Sequence, residues 1–211
     1  MNIIKKILIG IGSIGILMIC YGAIDTQLTK LKEQERIEIE VKLKEAELKK
    51  QQEAKDSLIV EVNNYINKIA PKNNLSGEAI INACIENDIN IIFVLAQAQL
   101  ESGFGTKGIA LKTNSVWNVM SYDGWSAEKI KKFGRGYSHP NESIQPYINL
   151  LKTRYLVNGK TEEDMMNNFI ASSGHRYASN PKYEYQLKSI YNRIDKQTNI
   201  NELYNNYINL I

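Results

Sequence analysis

Cysteine and histidine are scarce in this 211-residue chain. The two cysteines, Cys20 and Cys84, lie far apart, one in an apolar N-terminal run and one in a helix-like segment, so no disulfide is expected. The two histidines, His139 and His175, have no cysteine or acidic cluster spaced around them, which argues against a metal site. We expect no metal and no cofactor.

A large excess of positive charge is also missing. The chain carries 26 lysines and arginines against 23 acids, a formal net charge of +3. The lysines are spread among the acids and form no basic stripe, which argues against a nucleic-acid partner. The length suits one domain of ordinary size with additional segments.

An uncharged apolar run covers residues 7–24, directly after Lys5 and Lys6. Its length is that of a membrane-spanning helix, whereas the core of a cleaved signal peptide is usually shorter. The sequence therefore predicts a transmembrane anchor over residues 1–25, with a cytoplasmic N-terminus and the rest of the chain on the outer, wall-facing side. Cleavage after Gly22 or Ala23, which would give a secreted protein, is the alternative.

A charged segment follows over residues 26–57 and contains neither glycine nor proline. Glu38 and Lys42, like Glu40 and Lys44, have the i, i+4 spacing that supports a helix by a few tenths of a kcal/mol. The composition predicts a helical spacer, or stalk. No heptad seam is long enough to establish a coiled coil, so a homodimer through this segment stays open.

The remaining residues, 58–211, have the pattern of short amphipathic helices. The region from Trp117 to Tyr137 contains turn-forming glycines and several aromatics, and it is the predicted β region. The expected helix boundaries are Pro71 after a first helix from Leu58, Ser76, Asn90 with Gly103, Ser143, Thr161, Asn180–Pro181, and a last amphipathic stretch through Leu203, Tyr207 and Leu210.

Glu101 lies at the end of the most apolar of these segments and is followed by Ser102-Gly103-Phe104-Gly105. Apolar neighbours and the negative end of a helix dipole both disfavour an ionised carboxylate, so Glu101 should hold a proton near neutral pH. A general acid needs that property. The alternative is a helix-terminal glutamate that points into water or bonds a loop amide.

Three sequence elements, the first of which contains Glu101, resemble motifs of one family and follow one another in the order found in that family. The run AQAQLESGFGTKGIALKTNSVWNVM is followed by Arg135-Gly136-Tyr137 with Glu142-Ser143, and then by Tyr177-Ala178-Ser179-Asn180-Pro181. Together they resemble the glucosaminidase family of cell-wall hydrolases, glycoside hydrolase family 73, which includes flagellar muramidase domains. The resemblance covers about Asn90 to Ile194.

The resemblance implies a mainly α, lysozyme-like α+β domain whose helical lobe and small β lobe flank a groove for the glycan strand of peptidoglycan. The implied reaction is hydrolysis of a β-1,4 glycosidic bond, of the endo-β-N-acetylglucosaminidase type, with Glu101 as general acid. Tyr177 matches a tyrosine that positions the N-acetyl group or the reacting centre. The implied substrate-binding residues, of which the aromatic ones could equally be core residues, are Trp117, Asn118, Tyr122, Trp125 and Tyr137.

The second catalytic group is where this sequence departs from the family, because the hairpin segment T-x-E that commonly carries a second carboxylate is absent. Asp123 and Glu128 are the candidates, and Asp123 is preferred since its Asp-Gly turn could project the carboxylate between aromatic platforms. Asp123 could also merely form the turn. The substrate acetamido group or Tyr177 would then stabilise the transition state.

Two other functions remain open from the sequence. A lytic transglycosylase shares a Glu-Ser pair after a buried helix, but its usual G-L-M-Q continuation is absent. A non-catalytic wall-binding scaffold would not require the intact Glu101. The owner of the chain could be a bacterium or a phage that carries the hydrolase in its virion.

Overall fold

The structure is a computed structural model that describes residues 3–119, 126–167 and 176–211, with side chains described from Gln27 onward. The chain divides into two compact units, Met1–Gln52 and Glu53–Ile211. The division proposed from the sequence, at residues 25 and 57, stays a prediction.

The first helix, α1, runs from Ile3 to Ile69. No proline precedes Pro71, and the chain leaves the helix at Ala70. Exposed ion pairs lie along it, among them Lys42 with Glu38 at 2.7 Å and Lys44 with Glu40 at 3.0 Å. Such pairs contribute little each. Dimerisation through residues 26–57 stays a prediction.

The predicted membrane anchor needs correction. A helix that crosses a bilayer requires about 17–25 apolar residues, and the described part of the chain contains no helix that meets the requirement. The prediction of a transmembrane helix at residues 7–24, and with it the single-pass membrane localisation, is therefore wrong. Residues 7–24 are not an element of their own but belong to α1, which continues through charged sequence, and their side chains lie outside the described part.

The second unit is built around α3, Ile91–Ser102, whose residues from Ile91 to Ala98 are all buried. It packs most extensively against α8, and also against α2 and α9. The other helices of this unit are α2 Gly77–Asn87, α4 Ala110–Thr113, α5 Ala127–Lys132, α6 Ile144–Leu150, α7 Glu162–Met165, α8 Tyr183–Gln197 and α9 Ile200–Ile208. A 3₁₀ turn, Pro140–Ser143, precedes α6, and a π-helical turn, Leu151–Tyr155, follows it.

Several predicted helix boundaries are confirmed in the second unit. The side chain of Ser76 accepts a hydrogen bond from the Ala79 amide, and that of Asn90 accepts one from the Phe93 amide. Gly103 ends α3 in the left-handed conformation that glycine adopts without strain. Local hydrogen bonds therefore fix both ends of the helix that carries Glu101.

The expected β lobe is wrong for the described residues, which contain helices and turns and no strand. Within the predicted β region the chain forms α5 instead. The Ser126 side chain caps it by accepting a hydrogen bond from the Lys129 amide at 3.2 Å, and Glu128 lies in its first turn. This capping, with lysines in the last turn, favours helix. Residues 120–125 lie outside the described part.

Two later boundaries differ in detail from prediction. The Ser143 hydroxyl does not cap α6; it donates to the Pro140 carbonyl and accepts from the Val116 amide, which ties two loops together. Helix α8 begins at Tyr183 rather than directly after Pro181, while Asn180 bonds the Lys182 amide through its side chain.

Candidate active site

Glu101 is the last residue but one of α3 and is partly buried. The loop beyond it is fixed by Ser102, whose hydroxyl donates to the Val116 carbonyl at 2.6 Å and accepts from the Gly105 amide at 2.8 Å. Phe104 packs into the core directly after the glycine that ends the helix. The backbone that carries Glu101 is therefore held on both sides.

Two side chains from distant parts of the sequence reach Glu101. The Tyr183 hydroxyl, at the start of α8, donates to Oε1 of Glu101 at 2.7 Å. Asn118, in the loop after α4, donates from Nδ2 to the Glu101 carbonyl at 3.0 Å. Asn118 has a positive φ of 49°, a conformation that asparagine tolerates better than most residues.

Burial raises the pKa of the Glu101 carboxyl above its ordinary value, and hydrogen bonds from the side chains of Tyr183 and Asn118 partly lower it again. Burial dominates because a charged carboxylate loses water contacts that two hydrogen bonds do not fully replace. The C-terminal end of α3 adds partial negative charge beside the group. The carboxyl thus keeps its proton to higher pH than an exposed glutamate, as expected of a general acid.

Tyrosine rings line one side of Glu101. Tyr177 stacks on Tyr183 with ring centroids 5.5 Å apart and contacts Tyr155 at 5.1 Å. Burial, and then the charge of Glu101, raise the pKa values of Tyr177 and Tyr183 well above the ordinary tyrosine value. Both hydroxyls therefore keep their protons, and that of Tyr183 donates to Glu101. The structure thus brings Tyr177, Asn118 and Glu101 together.

The other predicted substrate-binding residues have different surroundings. Trp117 is 1% exposed, stacks on Tyr147 at 4.6 Å and donates from its indole N–H to the Val94 carbonyl, so its burial favours the core alternative. Tyr137 is partly buried, and its backbone amide donates to the Thr113 carbonyl. The three residues Tyr122, Asp123 and Trp125 lie outside the described part.

Carboxylates that could serve as a second catalytic group are not found beside Glu101 among the described side chains. Glu128 is exposed on α5, where hydrogen bonds from its own backbone amide and the Ser126 side chain lower its pKa. Glu142 accepts hydrogen bonds from Ser138, which lower its pKa, and lies in the first turn of the 3₁₀ segment. Glu142 therefore has its hydrogen-bond partner within four residues of itself.

Metal binding finds no support in the described side chains, where no three His, Cys, Asp or Glu residues gather in a group that could hold an ion. His139 instead accepts a hydrogen bond from the Asn141 amide through Nδ1 and caps the 3₁₀ turn. His175 lies outside the described part.

Tyr183 and Gln97 are the residues of this site that sequence reasoning missed. Gln97 precedes Glu101 by four residues, which puts both on the same face of α3. A fully buried glutamine needs hydrogen-bond partners. That requirement was the available signal for Gln97, but the sequence does not identify its partners.

A family model named Glucosaminidase, described as mannosyl-glycoprotein endo-beta-N-acetylglucosaminidase, matches residues 77–196, more than half of the chain. The matched range contains Glu101, Asn118, Tyr177 and Tyr183. A search of curated proteins finds no match.

Proposed function

Because the chain belongs to the glucosaminidase family, and is therefore a glycoside hydrolase, we propose that it cuts β-1,4 bonds of the peptidoglycan glycan strand with Glu101 as general acid. Family membership supports a peptidoglycan glycosidase in general. The endo-β-N-acetylglucosaminidase type of cleavage is the finer part of the proposal. The observation that carries the acid assignment is the partly buried Glu101 carboxyl, hydrogen-bonded to Tyr183 at 2.7 Å.

The proposed reaction begins with proton transfer from Glu101 to the glycosidic oxygen. The bond between that oxygen and the anomeric carbon breaks, the oxygen leaves as an alcohol, and positive charge develops on the sugar ring. Water then adds its hydroxyl group to the anomeric carbon, and its remaining proton restores the Glu101 acid. The products are two shorter glycans, one of which ends in a reducing sugar.

The developing positive charge requires a second group, for which we propose Asp123. Glu128 is a poorer candidate, since it is exposed and its hydrogen bonds belong to the first turn of α5. Tyr177 is proposed to position the N-acetyl group of the substrate, which would assist the reacting centre. Its ring stacks on the tyrosine that bonds Glu101, which supports this role.

Substrate contacts are proposed for Asn118, Tyr122, Trp125 and Tyr137. Asn118 is supported best, because its Nδ2 bonds the Glu101 backbone and its buried Oδ1 has no hydrogen-bond partner among the described residues. An unpaired buried acceptor costs free energy until a donor reaches it. A hydroxyl or acetamido N–H of the sugar would supply that donor.

The experiment is digestion of purified peptidoglycan by the full chain, with analysis of the new chain ends. Glu101→Gln keeps the shape but cannot donate the proton, so turnover should fall about 10²–10⁴-fold. Glu78→Gln, an exposed glutamate in the first turn of α2, is the matched control and should keep full activity.

The chain ends distinguish the alternatives. A hydrolase leaves reducing sugars, whereas anhydro-muramic ends would identify a lytic transglycosylase. Binding of peptidoglycan without any cleavage by the wild-type chain would identify a scaffold. A Glu101→Gln variant that keeps more than about a tenth of wild-type turnover would rule out Glu101 as the acid.

A further inference from the structure

A line of buried hydrogen bonds leads from Glu101 into the core. Tyr183 donates to Oε1 of Glu101 at 2.7 Å. Gln97 donates from Nε2 to the Tyr183 hydroxyl oxygen at 3.1 Å. The Tyr147 hydroxyl, on α6, donates to Oε1 of Gln97. Three helices, α3, α6 and α8, thus contribute to one continuous line that ends at the catalytic carboxyl.

The donors in this line all point toward Glu101. A tyrosine hydroxyl has one proton, and a glutamine amide has donors on nitrogen and acceptors on oxygen. If Tyr183 gave its proton to Gln97, the amide would have to turn over. The Tyr147 proton would then need another acceptor, although Tyr147 is 0% exposed and its ring is stacked on Trp117. Reversal would therefore leave a buried donor unpaired, which is costly.

The fixed direction determines where the acid proton resides. Oε1 of Glu101 accepts from Tyr183, and the carbonyl oxygen of a carboxylic acid is a much better acceptor than its hydroxyl oxygen. A proton on the carboxyl is therefore carried by Oε2. We propose that Gln97 is a positioning residue that, with Tyr147 behind it, fixes the Tyr183 hydroxyl as a donor and so keeps the transferable proton of Glu101 on Oε2. The inference rests on the proposed function, in which this proton passes to the glycosidic oxygen.

The charge of Glu101 acts on three titratable side chains in the described part of the chain. They are Tyr147 on α6, Tyr177 before α8, and Tyr183 at its start. Burial is the largest cause that raises the pKa of each, and the charge of Glu101 raises it further. All three tyrosines therefore stay protonated across the working range of a glutamic acid. Asn118 adds an uncharged hydrogen bond to the Glu101 backbone carbonyl. Among the described side chains of the site, the pH dependence thus belongs to Glu101 itself.

Gln97→Met in the full chain tests the proposal, because methionine has a similar volume but makes neither hydrogen bond. Without the Gln97 amide the Tyr183 hydroxyl is a weaker donor, the Glu101 anion is less stabilised, and the carboxyl pKa rises. Activity that requires the protonated acid then persists to higher pH. We expect kcat on soluble peptidoglycan fragments to fall about tenfold, KM to change less than about twofold, and the basic limb of the pH profile to move upward.

Tyr65→Phe is the matched control. Its hydroxyl donates to Gln99, also on α3, and this bond does not lead to Glu101. The variant should leave the pH profile unchanged. Gln97→Glu is the conservative variant: when neutral, its carboxylic acid donates to Tyr183 and accepts from Tyr147, so it should exceed Gln97→Met in turnover at acid pH. If thermal unfolding shows that Gln97→Met does not fold, Gln97→Glu replaces it as the test variant.

Three outcomes would overturn the proposal. The first is a Gln97→Met profile whose basic limb stays in place, and the second is an equal shift in Tyr65→Phe. The third is a Gln97→Glu variant no more active than Gln97→Met at acid pH. Glu101→Gln, assayed in parallel, distinguishes a failure of the positioning role from a failure of the acid assignment. An inactive Glu101→Gln beside an unshifted Gln97→Met refutes only the positioning role, whereas an active Glu101→Gln refutes the acid assignment and the positioning role together.

Discussion

The Tyr183 hydroxyl and the Glu101 carboxyl lie 2.7 Å apart although 82 residues separate them in the sequence. The contact forms where the C-terminal end of α3 meets the N-terminal end of α8, the pair of helices with the most extensive packing in the second unit. The position of the Glu101 carboxyl therefore depends on the main helix pair of the core.

Tyr183→Phe should move the basic limb of the pH-rate profile to higher pH. The tyrosine stabilises the Glu101 anion and so lowers the carboxyl pKa, while burial raises it. Removal of the hydroxyl takes away a hydrogen bond that lowers the Glu101 pKa, so the effect of burial is larger and the acid stays protonated to higher pH. The measurement is kcat/KM against pH. A limb that moves to lower pH would contradict the hydrogen-bond direction.

Glu101→Gln should change how folding stability depends on pH. Since the folded pKa is raised, the unfolded chain loses this proton first. Glu101 therefore decreases stability as pH rises from about 4.3, its unfolded value, through the folded value. Glutamine does not titrate. The unfolding midpoint of the variant should therefore rise relative to that of the wild type as the pH increases above about 4. A difference between the two midpoints that does not change with pH would contradict the raised pKa.

Arg176→Met should destabilise the protein strongly. The guanidinium bonds both oxygens of Glu184, with Nε at 2.9 Å from Oε1, and Glu184 is 5% exposed. Loss of the arginine leaves a buried carboxylate unpaired, at a cost of about 3 kcal/mol. Urea unfolding measures it. Lys160→Met, which removes an exposed pair with Asp164, is the control and should cost less than about 1 kcal/mol.

Asp123→Asn should lower turnover far more than Glu128→Gln, with both variants folded. The reason is that a carboxylate near the reacting carbon stabilises its positive charge, whereas Glu128 is exposed in the first turn of α5. The measurement is turnover on peptidoglycan, with circular dichroism to check folding. Near-wild-type activity of both variants would leave Glu101 with assistance from the substrate acetamido group.

Local features of the fold were predictable from the sequence. Ser76, Asn90 and Gly103 act within one helical turn, so the residue type and its neighbours suffice to identify each helix end. The same reasoning applied to Ser126 would have predicted α5, but the nearby glycines and aromatics favoured a β interpretation. Residues 7–24 were misread because an apolar run gives no indication of where its helix ends.

The candidate site was only partly predictable for a different reason. Glu101 stands out by its position and by the family motif around it. Tyr183 and Tyr147 become its partners only because α8 and α6 pack on α3, and that packing depends on contacts far apart in the sequence. Asn118 was partly predictable. Its motif suggested a role, but only the structure reveals its bond to the Glu101 backbone.

The turn at Asn118 limits how the acid could be transplanted by protein design. Its backbone adopts a positive φ of 49°, which glycine and asparagine tolerate better than most residues, and its side chain must still carry an amide that reaches the Glu101 carbonyl. Glycine would satisfy the first condition and glutamine the second, but neither satisfies both. A designer who grafts Glu101 onto the end of another helix would therefore have to graft this asparagine and its turn as well.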